Sequence, residues 1–178
     1  MKLILIRHGK TYGNTLKRYI GTTDEPLLEN ITIDKEYPKA DKIISSPLKR
    51  CIMTAELIYP GKEISICSDL RETDFGDFEN KSYEELKNEP HYQRWIDSGG
   101  VIAFPNGESR AEFTKRCIKA YERIANDSSA ERIALVVHGG TVMAIMQHIF
   151  GGDFYDYMIP NLGGYIVDTD KNKYMEFV

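Results

Sequence analysis

"LILIRHGKT", residues 3–11, decides the fold. Leu3 to Ile6 is an unbroken apolar run, the pattern of a strand buried on both faces of a sheet. It stops on Arg7 and His8, two side chains that are costly to bury without partners. "IALVVHGGT", residues 133–141, repeats the plan: Ile133 to Val137 runs into His138, Gly139 and Gly140. The chain has four histidines, and two of them occupy the same place relative to such a strand.

Working outward, residues 2–6, 42–44, 64–67 and 132–137 read as buried strands. Helical patterns lie between them. Leu48, Cys51, Ile52, Ala55 and Ile58 share one face of a helix that follows Ser46-Pro47, with the proline in its first turn. Phe113, Cys117, Ala120, Tyr121 and Ile124 mark a longer helix ending near Asn126-Asp127, and residues 141–150 mark another, stopped by Gly151-Gly152. Residues 165–167 and 174–178 form a late pair, with Asp170-Lys171-Asn172-Lys173 as a turn between antiparallel strands.

Strands alternating with helices predict an α/β fold: a three-layer sandwich whose central sheet is mainly parallel, with helices on both faces and an antiparallel strand at the edge. The segment at about 68–107 breaks the rhythm. It carries Gly, Pro and aromatic residues with short helical pieces at 82–88 and 90–97, and reads as a capping excursion from a single domain spanning 1–178.

The net charge of −4 argues against a general nucleic-acid or membrane-surface binder. Residues 1–50 nevertheless hold ten Lys/Arg against six Asp/Glu, enough to build one local anion pocket. Cys51, Cys67 and Cys117 are odd in number and form no CxxC pair, which argues against a disulfide scaffold and a tetrahedral zinc site. The N-terminal apolar run is too short for a signal peptide, and nothing approaches the ~18–20 apolar residues of a membrane span. A cytoplasmic protein is expected.

The polar residues that interrupt this plan fall at strand ends. Arg7 and His8 close the first strand, Arg50 follows the second by about a helical turn, Glu72 follows the third, and His138 closes the fourth. Ligands of open α/β sheets bind outside the carboxyl ends of the strands. Taken singly, each is an ordinary hydrogen-bonded histidine, solvated arginine or loop carboxylate; their co-occurrence at one edge is what points to a site. His91 and His148 fall outside that pattern.

Two guanidiniums favour an oxyanion, above all phosphate. The Gly139-Gly140 opening of a helix offers N–H groups to the same anion. One imidazole can then attack phosphorus, and the Glu can protonate the departing oxygen. The same two His and one Glu are also compatible with a metal hydrolase. That alternative predicts loss of activity with a chelator and a dispensable Arg7, and the phosphate reading predicts the reverse.

"LIRHGKTYGN" resembles the signature of the histidine phosphatase superfamily, the phosphoglycerate-mutase-like proteins, and the resemblance runs along nearly the whole chain. "RYIGTTDEPL" is similar to its second block, "SSPLKRCIMTAE" to its arginine block, "LRETDFGDFEN" to its acid-donor block, "FPNGES" to its Gly-Glu-Ser block and "VVHGGT" to its second histidine. Two departures stand out. Asn80 replaces the usual Gly of "FEG", and the segment after Leu28 is shortened and lacks the usual helix.

The resemblance implies a metal-independent, cofactor-free phosphomonoesterase acting on a small phosphorylated metabolite. His8 would be the phosphorylated nucleophile; Arg7, Arg50 and a cationic His138 would hold the phosphoryl oxygens; Glu72 would be the proton donor. Asn14, Gly21 and Gly139 would join Arg7, Arg50 and His138 as phosphate-binding positions. Within the family the chain looks closest to the α-ribazole phosphatases of cobalamin biosynthesis. A phosphoglycerate mutase, a broad sugar- or nucleotide-phosphate phosphatase and a silent phosphate-binding module remain open. Tyr83, Tyr92, Trp95 and Phe104 in the excursion either line the site or pack a small core of their own.

Overall fold

The structure, a computed structural model, describes residues 1–127 and 129–177. Six strands form one sheet: β1 (Lys2–Arg7), β2 (Lys42–Ser45), β3 (Ile64–Ile66), β4 (Arg132–Val137), β5 (Gly164–Asp168) and β6 (Lys173–Phe177), in the order β3-β2-β4-β1-β5-β6. Strands β1 to β4 pair parallel, whereas β5 runs antiparallel to both β1 and β6. The expected late pair is therefore present at one edge, its turn falling on residues 169–172; Val178, expected at its end, lies outside the described residues.

The apolar runs are buried on both faces, as their lack of a polar side requires. Leu3, Leu5, Ile133, Leu135 and Val137 pack against helices α5 (Arg110–Asp127) and α6 (Gly139–Phe150). Ile4, Ile6, Ala134 and Val136 point the other way, onto Cys51 and Ala55 of α2 (Lys49–Ile58). This alternation produces the three layers.

Two local expectations shift. Strand β3 is not a buried strand: it is three residues long, and Ser65 and Ile66 are exposed because it lies at the edge of the sheet. Pro47 stands before the N-cap residue Leu48 rather than inside the first turn of α2.

The excursion carries two 3-10 turns (Ser68–Leu70 and Gly76–Phe78) and two short helices, α3 (Tyr83–Leu86) and α4 (Pro90–Asp97). Phe78, Leu86, Tyr92, Trp95 and Phe104 form its own small core. Asn80 takes φ +61°, so the departure from Gly is accommodated by the side chain that tolerates that region best. A four-residue helix, α1 (Tyr12–Thr15), was not expected; Thr11 and Asn14 cap it reciprocally. Residues 22–41 carry no regular element, in keeping with the missing helix after Leu28.

Candidate active site

Strand register brings the two histidines together. Arg7 pairs with Val137, so the next residues, His8 and His138, stand side by side, their rings 5.2 Å apart and roughly perpendicular. Strand β2 ends alongside β4, and this delivers Ser46 to the same edge.

The hydrogen bonds fix both imidazoles. Nδ1 of His8 lies 2.7 Å from the carbonyl oxygen of Gly9, which can only accept, so Nδ1 carries the proton and Nε2 the lone pair. Burial, followed by Arg50, lowers the His8 pKa to about 3; it is neutral at physiological pH. His138 has the opposite tautomer. Arg50 Nε–H donates to its Nδ1 at 3.3 Å, so Nε2–H donates to Ser46 Oγ at 2.7 Å. Burial first, then Arg50 and His8, hold the His138 pKa well below the usual value. The expectation of a cationic His138 is thereby corrected: a fully buried imidazole beside a guanidinium is neutral.

Arg50 is fully buried. Beyond His138, it donates to the carbonyls of Thr23 (2.7 Å), Ile20 (3.3 Å) and Gly21 (2.9 Å), which leaves one N–H of Nη1. Gly21 sits behind Arg50. Its own N–H goes to Glu79 Oε1 at 2.8 Å, and a Cβ there would collide with the Thr73 carbonyl. The Gly21 N–H is thus directed at a carboxylate rather than into the expected phosphate place.

Arg7 is partly exposed and differently held. Nη1 donates to the Ile159 carbonyl at 2.6 Å, and the buried Nε has no partner. Gly139 lies over this guanidinium, where a Cβ would stand 3.4 Å from Nε. Burial lowers the pKa of Arg7, and the neighbouring Glu72 counters part of that. Glu72 accepts from the Thr73 N–H (2.9 Å) and, at the N-terminus of α6, from the Gly140 N–H (3.2 Å). The helix terminus expected to meet a phosphate thus already meets one carboxylate.

Asn14 turns its Oδ1 to the Thr11 N–H (3.2 Å) and to Asn161 Nδ2 (3.3 Å), which leaves its amide NH2 as the donor. Asn161 also donates to the His8 carbonyl at 2.9 Å. Sequence reading missed Asn161, Ser46 and Glu79 as individual site residues. His91 and His148 lie on the surface, beside Arg94 and Glu122, away from the cluster.

A cleft of about 450 Å³ opens over this edge, with Arg7, Glu72, Gly139 and Gly140 at its base. His8, Arg50 and His138 are buried and are not among the residues that line it. The walls are aromatic: Tyr19, Phe75, Trp95 and Phe104 on the excursion side, Phe154 and Tyr155 opposite. The four excursion aromatics therefore divide. Tyr92 is core, Tyr83 is more than half exposed, and Trp95 and Phe104 serve both core and cleft wall. Arg110 crosses the mouth, donating to the Gly99 and Gly100 carbonyls and to Tyr155 Oη, its guanidinium about 5 Å from two aromatic rings.

Two neutral imidazoles, one with its lone pair free, share this edge with two guanidiniums and a carboxyl group. That set attracts an anion and can exchange a phosphoryl group. The family model of the histidine phosphatase superfamily (branch 1) matches residues 3–175. The chain belongs to the histidine phosphatase superfamily.

Relatives within the superfamily agree. The chain is 33% identical over 160 residues to "Uncharacterized phosphatase PhoE" of Bacillus subtilis (84% of this chain, 77% of that one). It is 28% identical over 161 residues to the "Adenosylcobalamin/alpha-ribazole phosphatase" of Salmonella typhimurium (84% and 79%). Among solved structures, a putative alpha-ribazole-5'-P phosphatase from Escherichia coli shares the fold with a TM-score of 0.85 over 100% and 95% of the two chains, at 22% identity. A phosphoglycerate mutase from Thermus thermophilus superposes with a TM-score of 0.72 at 30% identity over 94% and 93%. This histidine phosphatase is a phosphatase enzyme. Among its described residues, no helix is long and apolar enough to cross a membrane.

Proposed function

We propose that one domain spanning residues 1–178 hydrolyses a phosphomonoester through a phosphohistidine on His8, without metal or cofactor, in the cytoplasm. The observation that carries this reading is the Nε2 lone pair of a neutral His8, whose Nδ1–H is fixed by the Gly9 carbonyl and whose ring feels the charges of Arg50 and Arg7. Nε2 attacks phosphorus and the bond to the leaving oxygen breaks. Arg7 and Arg50 hold the equatorial oxygens, with Asn14 and the backbone at Gly139 around them, and His138, whose two ring nitrogens face Arg50 and Ser46, orients Arg50. Glu72 gives its proton to the leaving oxygen. It then takes one from the water that attacks phosphorus, the P–N bond breaks, and the Nε2 lone pair returns. The three free cysteines suit a reducing compartment.

The substrate we propose is α-ribazole 5'-phosphate. Trp95 and Phe104 both line the cleft, and a ring stacked on one of them adds ~1–3 kcal/mol. That corresponds to about a 5- to 150-fold preference over a ringless alcohol. The name of the Salmonella relative points the same way.

A second reading, 3-phosphoglycerate in a mutase, draws support from Arg110. It lines the cleft, and its three donated hydrogen bonds leave Nη1 for a carboxylate. The deciding experiment compares kcat/KM for the two esters, and mutase turnover with 2,3-bisphosphoglycerate. The proposal expects α-ribazole 5'-phosphate to win and no mutase activity. Comparable rates, or efficient mutase turnover, contradict it.

A further inference from the structure

Behind Glu72, four successive backbone carbonyls are each held by a side chain from the helices. Arg116 on α5 takes three: Nη1 donates to Asp69 O and Arg71 O, both at 2.9 Å, and Nη2 to Glu72 O at 3.0 Å. Thr141 on α6 takes the fourth, Leu70 O, at 3.3 Å. Arg116 is itself aimed by Glu108, with Nε 2.8 Å from Oε1 and Nη2 2.6 Å from Oε2. All five of its N–H groups therefore have acceptors.

Glu108 extends the hold to the far side of the acid. Its Oε2 accepts from the Asp74 N–H at 3.0 Å, and its own N–H donates to the Asp74 carbonyl at 2.9 Å. Both side chains are largely covered, at 14% and 18% exposure, so the pair is poorly screened. Burial opposes the charge on Glu108, but Arg116 and the Asp74 N–H outweigh it and keep its pKa low. Among the described residues the Glu72 carboxyl bonds to the adjacent Thr73, through its N–H and its Oγ1 at 3.5 Å, and to Gly140 N–H, so its place follows the backbone at 72.

We infer that Arg116 and Glu108 are positioning residues for Glu72, fixing the backbone from which its carboxyl reaches the leaving oxygen. The inference rests on the proposed role of Glu72 as proton donor. A pair that merely stabilised the loop would slow every ester alike. A pair that aims an acid matters only where the leaving group needs a proton.

The test is kcat/KM on an alkyl ester, 1-propyl phosphate, and on p-nitrophenyl phosphate, whose leaving group needs little protonation. This ratio reports steps up to alcohol release, so slow dephosphorylation does not intrude. Arg116→Gln and Arg116→Lys are expected to lose about 10- to 100-fold on the alkyl ester and less than about 3-fold on the aryl ester. Lysine keeps the charge but not the planar fork that reaches three carbonyls. Glu108→Gln should lose in the same direction.

Equal losses on both esters, no loss on either, or a wild-type ester ratio in Arg116→Lys overturns the inference. Should Arg116→Gln show no cooperative thermal melt, the ester ratios of Arg116→Lys and Glu108→Gln decide. Glu72→Gln is run alongside: if it fails to discriminate between the esters, the acid assignment itself falls, and the inference with it.

Discussion

Arg50 donates its Nε–H to Nδ1 of His138 at 3.3 Å, and that bond sets the protonation of the second imidazole. A guanidinium cannot accept, so Nδ1 must present a lone pair, and the remaining proton sits on Nε2 toward Ser46. Two neutral histidines at the core of the site tie its chemistry to the stability of the fold.

His8, with a pKa lowered to about 3 from 6.5, binds a proton in the unfolded chain that it refuses in the folded one. Its contribution is therefore complete above the unfolded pKa and declines as pH falls from about 6.5 toward 3. The slope approaches ~1.4 kcal/mol per pH unit for each such histidine. His138, lowered in the same direction, adds to it. Urea unfolding of wild type and His8→Gln between about pH 7 and 4 should give a shallower pH dependence in the variant. Parallel curves would show that His8 is protonated in the folded protein.

Replacing Glu72 by Gln keeps the shape and removes the proton. On alkyl phosphates kcat/KM should fall roughly 100- to 10,000-fold, about 3–5 kcal/mol of barrier. Formation of the phosphoenzyme from p-nitrophenyl phosphate should suffer far less. Rapid-quench measurement of that step checks this, and equal losses on the two substrates would remove Glu72 from the role.

Gly140→Ala separates activity from stability. The added Cβ would meet Glu72 Oε1 and lie 3.0 Å from Phe113, yet alanine favours the first turn of α6. The thermal midpoint should correspond to a change within about 1 kcal/mol, because the atom displaced most is the end of a flexible side chain. Alkyl phosphatase activity should fall at least about 10-fold as the carboxyl is pushed aside. A variant that melts early and keeps full activity would reverse both expectations.

The frame of the fold was legible because β1, β4, α5 and α6 are written in long, regular apolar patterns. Arg7, His8 and His138 were legible because each ends such a run. What escaped reading depends on which strands become neighbours. Ser46 reaches His138 across 92 positions, and Asn161 reaches the His8 carbonyl across 153; neither distance leaves a local signal. Glu79 and Glu108 stood inside quoted blocks, but their partners, the N–H groups of Gly21 and Asp74, lie in other segments. The Thr11–Asn14 cap of α1 was a local signal passed over. Burial was the harder quantity: nothing in "HGGT" says that Arg50 would already occupy Nδ1 of His138, so a cation was expected where the fold holds a neutral ring.

The central claim is that Nε2 of His8 carries the phosphoryl group. Enzyme turning over a 32P-labelled phosphomonoester, with EDTA present, is quenched, digested and mapped. The account predicts label on the peptide containing His8, labile to acid and stable to base, and neither label nor turnover in His8→Ala. Label on a serine, or full activity in His8→Ala, would contradict it.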